Sequence, residues 1–125
     1  MEKKPDLKPG PSTRERGLAA ELLVRRHLVA GGFAFIESNF YWKGGELDLI
    51  FLDQAGVLVF VEVRSAADDS AWLRYTVSGA KQRRLINTAL RYRMIRDFAR
   101  RLPYRFDMAW VEGTRVEHWK NVLMT

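Results

Sequence analysis

The chain has 125 residues, of which 47% are hydrophobic, so it is long enough to bury a core and too apolar to be disordered. It contains no cysteine, which excludes disulfides, thiolate metal ligands and a cysteine nucleophile. The net charge is +6 and the pI is about 10.0, a balance that favours polyanions such as nucleic acid. The chain shows neither a signal peptide nor a membrane-spanning stretch, so we expect a cytoplasmic protein without a membrane partner.

The N-terminal part of the sequence is predicted to be an arm followed by a helix. Residues 1–13 hold three of the four prolines, so we interpret them as a flexible arm in front of a single domain, residues 14–125. Leucine and alanine recur at helical spacing from Arg14 to Ala30. Ser12 or Thr13 is the expected N-cap of this helix.

The rest of the sequence alternates between strands and one long helix. The predicted elements are a strand from Phe33 to Trp42, a hairpin from Gly44 to Arg64, a helix from Gly79 to Arg101 and two strands on either side of Gly113. The polar segment between the hairpin and the helix, residues 65–78, is predicted to be a loop. The order αβββαββ predicts an α/β domain with helices flanking a mixed β-sheet.

The register of the hairpin decides where the four charged residues near its open end point. A three-residue loop, Gln54 to Gly56, puts glycine at the left-handed last position, where it is favoured. One face is then apolar, with Leu47, Leu49, Phe51, Val57, Val59, Val61 and Val63. The other face carries at its open end Glu46, Asp48, Glu62 and Arg64. A four-residue loop would instead bury two of these charges in the core, which costs several kcal/mol, so we prefer the first register.

This register places Asp48 directly opposite Glu62, with Cβ atoms about 5 Å apart. Two carboxylates so close repel each other unless a cation lies between them. Carboxylate oxygens are the ligands by which proteins hold Mg²⁺, so the pair predicts a metal site with Arg64 directed at a bound phosphate. The alternative is a surface lattice of ion pairs in which Glu46 contacts Arg64 across the strands.

The hairpin motifs and several other segments carry a family resemblance. GGELDLI, residues 44–50, and VFVEVR, residues 59–64, are similar to the GEIDLI…VFVEVK signature of the YraN-like uncharacterised bacterial proteins. GLAAE, residues 17–21, resembles the helical G-x-x-G-E segment of that family, with alanine for the second glycine. Further matching positions are Gly32, Phe33, Asn39, Lys81, Arg105, Phe106 and Asp107. The resemblance implies a restriction-endonuclease-like core, as in Holliday-junction-resolvase-like nucleases.

The resemblance also implies a metal site of the PD-(D/E)xK type and a Mg²⁺- or Mn²⁺-dependent endonuclease acting on DNA, including branched or structured DNA. It implies that Asp48, Glu62 and the carbonyl of Val63 are metal ligands, with Glu21 as an additional acidic residue. Arg64 stands at the position of the family lysine. Because arginine stays protonated, Arg64 would stabilise charge on the phosphate and would not act as a base.

Three further expectations accompany this resemblance. Glu46 is a candidate supporting residue of the metal site. Ala66 stands where the family usually has a second basic residue. Junction-resolving relatives act as two-fold dimers, so a homodimer is expected. From the residues alone, Glu21 has a second interpretation, an ion pair with Arg25 one helical turn later.

The predicted long helix is strongly basic. Residues 81–105 hold nine lysines or arginines and one acid, Asp97, so intrahelical ion pairs cannot neutralise the charge. We interpret this segment as a contact surface for the phosphate backbone, and the alternative is a solvated helix face. The candidate nucleic-acid-binding residues are Lys81, Arg84, Arg91, Arg93, Arg96 and Arg100, the last three on one predicted stripe.

The sequence leaves two other functions open. One is a metal-independent nucleic-acid-binding protein of the same fold, and the other is a protein-interaction module in DNA processing with a rigid charged face. Four aromatic residues flank the expected site, namely Tyr41, Trp42, Trp72 and Tyr75. Such residues either stack on exposed bases or close a core, and we favour the core for most of them.

Overall fold

Five strands in one sheet, with a helix on each face, make up the computed structural model, which describes residues 12–66 and 79–123. In chain order the elements are α1 (Thr13–Ala30), β1 (Ala34–Trp42), β2 (Gly45–Leu52), β3 (Leu58–Ser65), α2 (Gly79–Ile95), a 3-10 turn (Asp97–Ala99), β4 (Tyr104–Glu112) and β5 (Arg115–Trp119). The predicted α/β class, the order αβββαββ and the restriction-endonuclease-like core are confirmed. Residues 1–11 of the expected arm and most of the expected loop, with Trp72 and Tyr75, lie outside the described residues.

The strands follow each other across the sheet in the order β1-β2-β3-β4-β5. Only β3 and β4 are parallel, and the chain between them includes α2. Helix α1 packs through Ala20, Val24 and Leu28 on one face of the sheet, and α2 packs through Leu85 and Tyr92 on the other. Neither helix in the described ranges is long and apolar enough to cross a membrane.

The predicted hairpin loop is confirmed. The register pairs Ile50 with Phe60, and the Asp53 N–H donates to the Val57 carbonyl over 3.0 Å. Gly56 has a φ of 82°, the left-handed position that favours glycine. Asp53 also closes the loop with its side chain, since Oδ1 accepts from the N–H of Val57 at 2.9 Å. Local turn chemistry therefore sets this register.

The apolar face of the hairpin differs from the prediction at Leu47. Leu47 packs with Ile50 on the α2 face, whereas Leu49 packs on the α1 face. The strict alternation breaks at Asp48, which lies opposite Asn39, a residue of β1 with a φ of 57°. The prediction that Leu47 and Leu49 share a face is therefore wrong.

Helix α2 ends at Ile95, and the prediction that it continues to Arg101 is wrong. Arg96 is extended, with φ −97° and ψ 107°. Its guanidinium binds both carboxylate oxygens of Glu37 on β1, at 2.8 and 3.1 Å. Arg100 consequently lies outside the helix, so it does not share one helical stripe with Arg93 and Arg96.

Gly45 at the start of β2 allows α2 to approach the sheet closely. A Cβ on this residue would overlap the Thr88 Oγ1 and lie 3.1 Å from the carbonyl oxygen of Arg84. Thr88 is itself fixed, because its hydroxyl donates to that same carbonyl at 2.6 Å. The helix-to-strand distance at this point therefore depends on glycine.

A buried ionic network holds the opposite end of the sheet. Asp107 on β4 is 1% exposed, and His118 Nε2 and Arg105 Nε lie 2.7 and 3.0 Å from its carboxylate oxygens. The Asn121 N–H also donates to Asp107 at 2.9 Å. Burial alone would raise the pKa of Asp107, but the hydrogen bonds from His118, Asn121 and Arg105 outweigh it and hold the pKa below its ordinary value.

We expect Asp107→Asn to lower the free energy of unfolding by about 3–5 kcal/mol, because it removes the buried charge that Arg105, His118 and the Asn121 N–H all contact. Urea denaturation at pH 7 measures this. The depressed pKa stabilises the fold above the unfolded value of about 3.9, so the difference from wild type should shrink below about pH 4. Asp97→Asn is the control, since that side chain is 93% exposed and its loss should cost under about 0.5 kcal/mol. Equal effects of the two variants would contradict the network's role.

We expect Gly45→Ala to destabilise the protein by about 1–3 kcal/mol, through overpacking against Thr88. Thermal unfolding of Gly45→Ala, Thr88→Ala and the double variant forms a cycle, in which removing the threonine hydroxyl should recover part of the loss. Gly17→Ala is the matched control, because no atom lies within 4 Å of a Cβ at that position in α1. It should be neutral or stabilising. Additive effects in the cycle would refute the close contact.

Candidate metal centre

Asp48 occupies the point where β2 and β3 stop pairing. The ladder between these strands ends at Leu49 and Val61, so Asp48 and Glu62 do not form a ladder pair. Instead the Val63 N–H donates to Oδ2 of Asp48 over 2.8 Å. The carboxylate thus replaces a main-chain acceptor and is held at the end of the sheet.

Two other carboxylates meet Asp48 there. Glu21 from α1 and Glu46 from β2 each offer an oxygen, and the oxygens of the three residues all lie within 4.8 Å of one another. We call these three residues the carboxylate cluster. The side chain of Asn39, the left-handed residue of β1, acts on Glu21 in the direction that lowers its pKa.

The carboxylate cluster concentrates negative charge. Burial, followed by the charges of Glu62 and Glu46, raises the pKa of Asp48 to about 8, although the Val63 N–H and Arg64 act in the opposite direction. Burial and the charge of Glu46 likewise raise the pKa of Glu21. The cluster therefore holds a proton near neutral pH that a cation would displace.

Glu62 faces other partners. Its carboxylate pairs with Arg64, and Lys81 at the start of α2 lies 3.7 Å away. Arg64 also donates from Nη1 to the Val63 carbonyl at 3.1 Å. Of the ligands implied by the resemblance, Glu21 and Asp48 come together, while Glu62 and the Val63 carbonyl contact Arg64.

The two arginines of the ion pairs predicted as alternatives, Arg64 and Arg25, contact other residues. Arg64 pairs with Glu62 and not with Glu46 among the described ion pairs. Arg25 lies over the ring of Phe35, with its guanidinium carbon 3.6 Å from the ring centroid. Glu46, predicted only as a support, instead belongs to the carboxylate cluster. The signal that could have identified it is its spacing of two residues from Asp48 on one strand.

The donor set of the carboxylate cluster fits Mg²⁺ or Mn²⁺. Three carboxylates supply hard oxygen ligands from two different elements. The pKa of Asp48 is raised first by burial and then by the like charges of Glu62 and Glu46, and a divalent cation would relieve this repulsion. The residues that would hold the ion are therefore Glu21, Glu46 and Asp48, while Glu62 is paired with Arg64.

The predicted nucleic-acid-binding residues fall into two groups. Lys81, Arg84 and Arg91 share one flank of α2 by their helical spacing, between Glu62 at one end and Trp42 at the other, where Arg91 lies 4.2 Å from the ring centroid. The second group binds within the protein: Arg93 donates to the carbonyls of Ala99, Arg100 and Leu102, Arg96 binds Glu37, and Arg100 binds Asp97. The flank formed by the first group is called the basic flank below.

The turn between β1 and β2 borders the carboxylate cluster. A groove of about 470 Å³ is lined by residues 41–46. Tyr41 pairs across the strands with Glu46, whose charge is the largest of the causes that raise the pKa of the Tyr41 hydroxyl. Trp42 has Arg91 against its ring, but Tyr41 is exposed, so the core role favoured from the sequence does not hold for Tyr41.

We expect the raised pKa of Asp48 to make the protein less stable as pH rises. The folded pKa of about 8 exceeds the unfolded value of about 3.9, so stability should fall between about pH 4 and pH 8. Asp48→Asn keeps an acceptor for the Val63 N–H and has no proton to lose. The free energy of unfolding of this variant should therefore exceed that of wild type by on the order of 1–3 kcal/mol at pH 8, and by little at pH 4. Urea denaturation in EDTA measures this, and parallel pH dependences would contradict it.

Comparison with known proteins identifies the same family by a sequence profile and by individual relatives. A sequence profile described as "Uncharacterised protein family UPF0102" matches residues 20–111. A UPF0102 protein of Ralstonia pickettii is 40% identical over 115 residues, which cover 87% of this chain and 90% of that protein. A UPF0102 protein of Saccharophagus degradans is 38% identical over 110 residues, covering 86% and 91%.

A third relative, a UPF0102 protein of Polaromonas naphthalenivorans, is 42% identical over 106 residues, which cover 82% of this chain and 68% of that protein. The profile includes β1 to β3, with the carboxylates of β2, and all of α2. The resemblance found in the hairpin motifs is thereby confirmed. The chain belongs to the UPF0102 family of YraN-like proteins.

Proposed function

We propose that this protein is a metal-dependent DNA endonuclease that hydrolyses phosphodiester bonds at the carboxylate cluster. The observation that carries the proposal is the meeting of Glu21, Glu46 and Asp48, with a pKa of about 8 at Asp48. Carboxylates that are merely structural normally have partners that lower the pKa, as Asp107 has. A strongly raised pKa beside like charges is typical of functional sites.

The residues of the cluster would bind the ion and orient it. A bound Mg²⁺ or Mn²⁺ would supply Lewis-acid polarisation of a phosphate oxygen and an activated water. Asp48 would give up its proton on binding, while the Val63 N–H keeps its carboxylate directed into the cluster. Glu21 and Glu46 would complete the ligand set from α1 and β2.

Arg64 would stabilise the charge that develops on the scissile phosphate. It is held beside the cluster by Glu62 and by the Val63 carbonyl, so its guanidinium is positioned before substrate arrives. Lys81 lies on the other side of Glu62. Arg64 and Lys81 thus place two positive charges around Glu62, where they would contact a bound phosphate. Either cation supplies positive charge without having to act as a base.

The basic flank supports DNA as the substrate. Lys81, Arg84 and Arg91 lie along the side of α2 that faces the start of β2. Within the described ranges Arg84 is exposed and forms no ion pair. Cations in a row beside the cluster would contact successive phosphates, which positions a strand without reading its sequence. The homodimer implied by the resemblance stays a prediction.

A second candidate function is metal-independent nucleic-acid binding by the same surface. The observation that favours it is that Arg64 and Lys81 neutralise the charge of Glu62, so a metal ion is not required to balance this carboxylate. Under this alternative, DNA affinity falls steeply with salt and is the same in EDTA as in Mn²⁺. The experiments below separate the two functions.

We expect the metal to bind through the carboxylate cluster. In calorimetric titrations at about pH 7.5, Mn²⁺ should bind to wild type with release of a proton from Asp48. Asp48→Asn and Glu46→Gln should each lower Mn²⁺ affinity by at least about tenfold. Asp97→Asn is the matched control and should leave the affinity unchanged.

Glu62→Gln separates the two possible ligand sets. Unchanged Mn²⁺ affinity identifies Glu21, Glu46 and Asp48 as the ligands. A loss as large as that of Asp48→Asn, with Glu46→Gln unaffected, identifies instead the pair implied by the resemblance. No Mn²⁺ binding to wild type at millimolar concentration refutes the metal site and leaves the metal-independent alternative.

We expect labelled branched and single-stranded DNA to be cleaved by wild type in Mn²⁺ or Mg²⁺, with a loss of at least about a hundredfold in Asp48→Asn. Arg64→Lys should retain activity if positive charge alone is needed. Metal binding without cleavage in wild type, followed by cleavage in Arg64→Lys, would show that the planar arginine prevents turnover. Neither variant cleaving any of these DNAs would contradict the proposal.

A further inference from the structure

Tyr41 is the most exposed of the aromatic residues of β1. Its side chain is 66% exposed, the largest fraction among the exposed large hydrophobic residues in the described ranges. Its neighbours Phe35 and Phe40 pack into the clusters on the two faces of the sheet. A large ring left in water beside a charged site is typical of a contact surface.

The ring is held in a defined place. Tyr41 lies near the end of a strand and pairs directly with Glu46 of β2 in the antiparallel register. The turn that follows is tight, with φ values of 41° at Lys43 and 79° at Gly44. A ring on such a support loses little conformational entropy when a ligand stacks on it.

The groove beside the ring restricts what can bind. It is open to solvent and lined by the turn residues 41–46, so it can take a flat group such as a single base laid against the ring. Its border is cationic, since Lys43 and Arg91 both lie near the ring of Trp42, at 5.3 and 4.2 Å from its centroid. A second copy of this basic chain would bring like charges together, whereas a phosphate-bearing strand complements them.

The neighbour of the ring indicates which part of a strand would bind. Glu46 belongs to the carboxylate cluster, so Tyr41 lies one side chain away from the proposed position of the scissile phosphate. Bases inside a duplex are covered on both faces by their neighbours and cannot stack on a protein ring. An unpaired base next to the phosphate has an open face.

We propose that Tyr41 stacks on an unpaired base of the strand whose phosphate lies at the carboxylate cluster, so that the substrate class is nucleic acid with unpaired nucleotides. This inference rests on the proposed endonuclease function and specifies its substrate. Trp42 takes a supporting part, because its ring positions Arg91 at the border of the groove. A continuous duplex offers no base with an open face on which the Tyr41 ring could stack.

The test uses oligonucleotides of one sequence that carry 2-aminopurine, as single strand and as duplex, titrated with the full chain in EDTA. Stacking quenches 2-aminopurine fluorescence, and anisotropy gives the affinity. We expect wild type and Tyr41→Phe to bind the single strand with quenching. Tyr41→Ala should bind it about five- to a hundredfold more weakly and without quenching, while duplex affinity stays equal in all three.

Phe98→Ala is the matched control, because Phe98 is also an exposed aromatic residue but lies in the 3-10 turn, outside the groove. It should change neither affinity nor quenching, and thermal unfolding verifies that each variant is folded. Quenching that persists in Tyr41→Ala overturns the stacking inference. So does the failure of wild type to bind the single strand, an outcome that would leave the edge strand β1 to a polypeptide partner.

Cleavage of the same oligonucleotides in Mn²⁺ is measured separately. Cleavage together with Tyr41-independent binding overturns the inference and leaves the endonuclease function standing. Quenching that depends on Tyr41, without cleavage of any DNA, supports the base-binding site and overturns the endonuclease function. The two failures are thus distinguishable.

Discussion

One hydrogen bond, from the Val63 N–H to the Asp48 carboxylate, determines how the charged end of the sheet is built. The Asp48 carboxylate takes the place of a main-chain carbonyl of β2 as the acceptor for this N–H. The pairing of β2 with β3 therefore ends here, and the carboxylate lies between the two strands. Two apolar clusters, one on each face, hold both strands in place and prevent Asp48 from moving out to water. The repulsion among the carboxylates is thus maintained by the fold.

Local signals in the sequence were sufficient for much of this architecture. Gly56 favours the observed loop of the hairpin, because the last loop position needs a positive φ. Ser12 caps α1 by accepting from the Glu15 N–H, as its residue type predicts. The order of elements followed from the alternation of apolar periods. In each case the determining partner lies within a few residues along the chain.

The features that escaped prediction depend on distant partners. The end of α2 is set by Arg96 with Glu37, which are 59 residues apart. The approach of Glu46 to Glu21 requires α1 to lie on β2, and no spacing within either element indicates it. Glu62 was expected to pair with Asp48 across the strands, but its carboxylate instead forms ion pairs with Arg64 and Lys81. Tertiary contacts of this kind override what periodicity and propensity indicate.

The buried network at Asp107 has a consequence for the order of folding. It joins residues from four chain segments, and the contact between Arg105 and Asp53 alone spans 52 residues. Closing such a long loop costs entropy before any contact repays it, so the local β2–β3 hairpin should form early and the parallel pairing of β3 with β4 late. Strand β5 and its His118 then dock last. A nascent chain therefore exposes the edge of β3 until its final third has been synthesised.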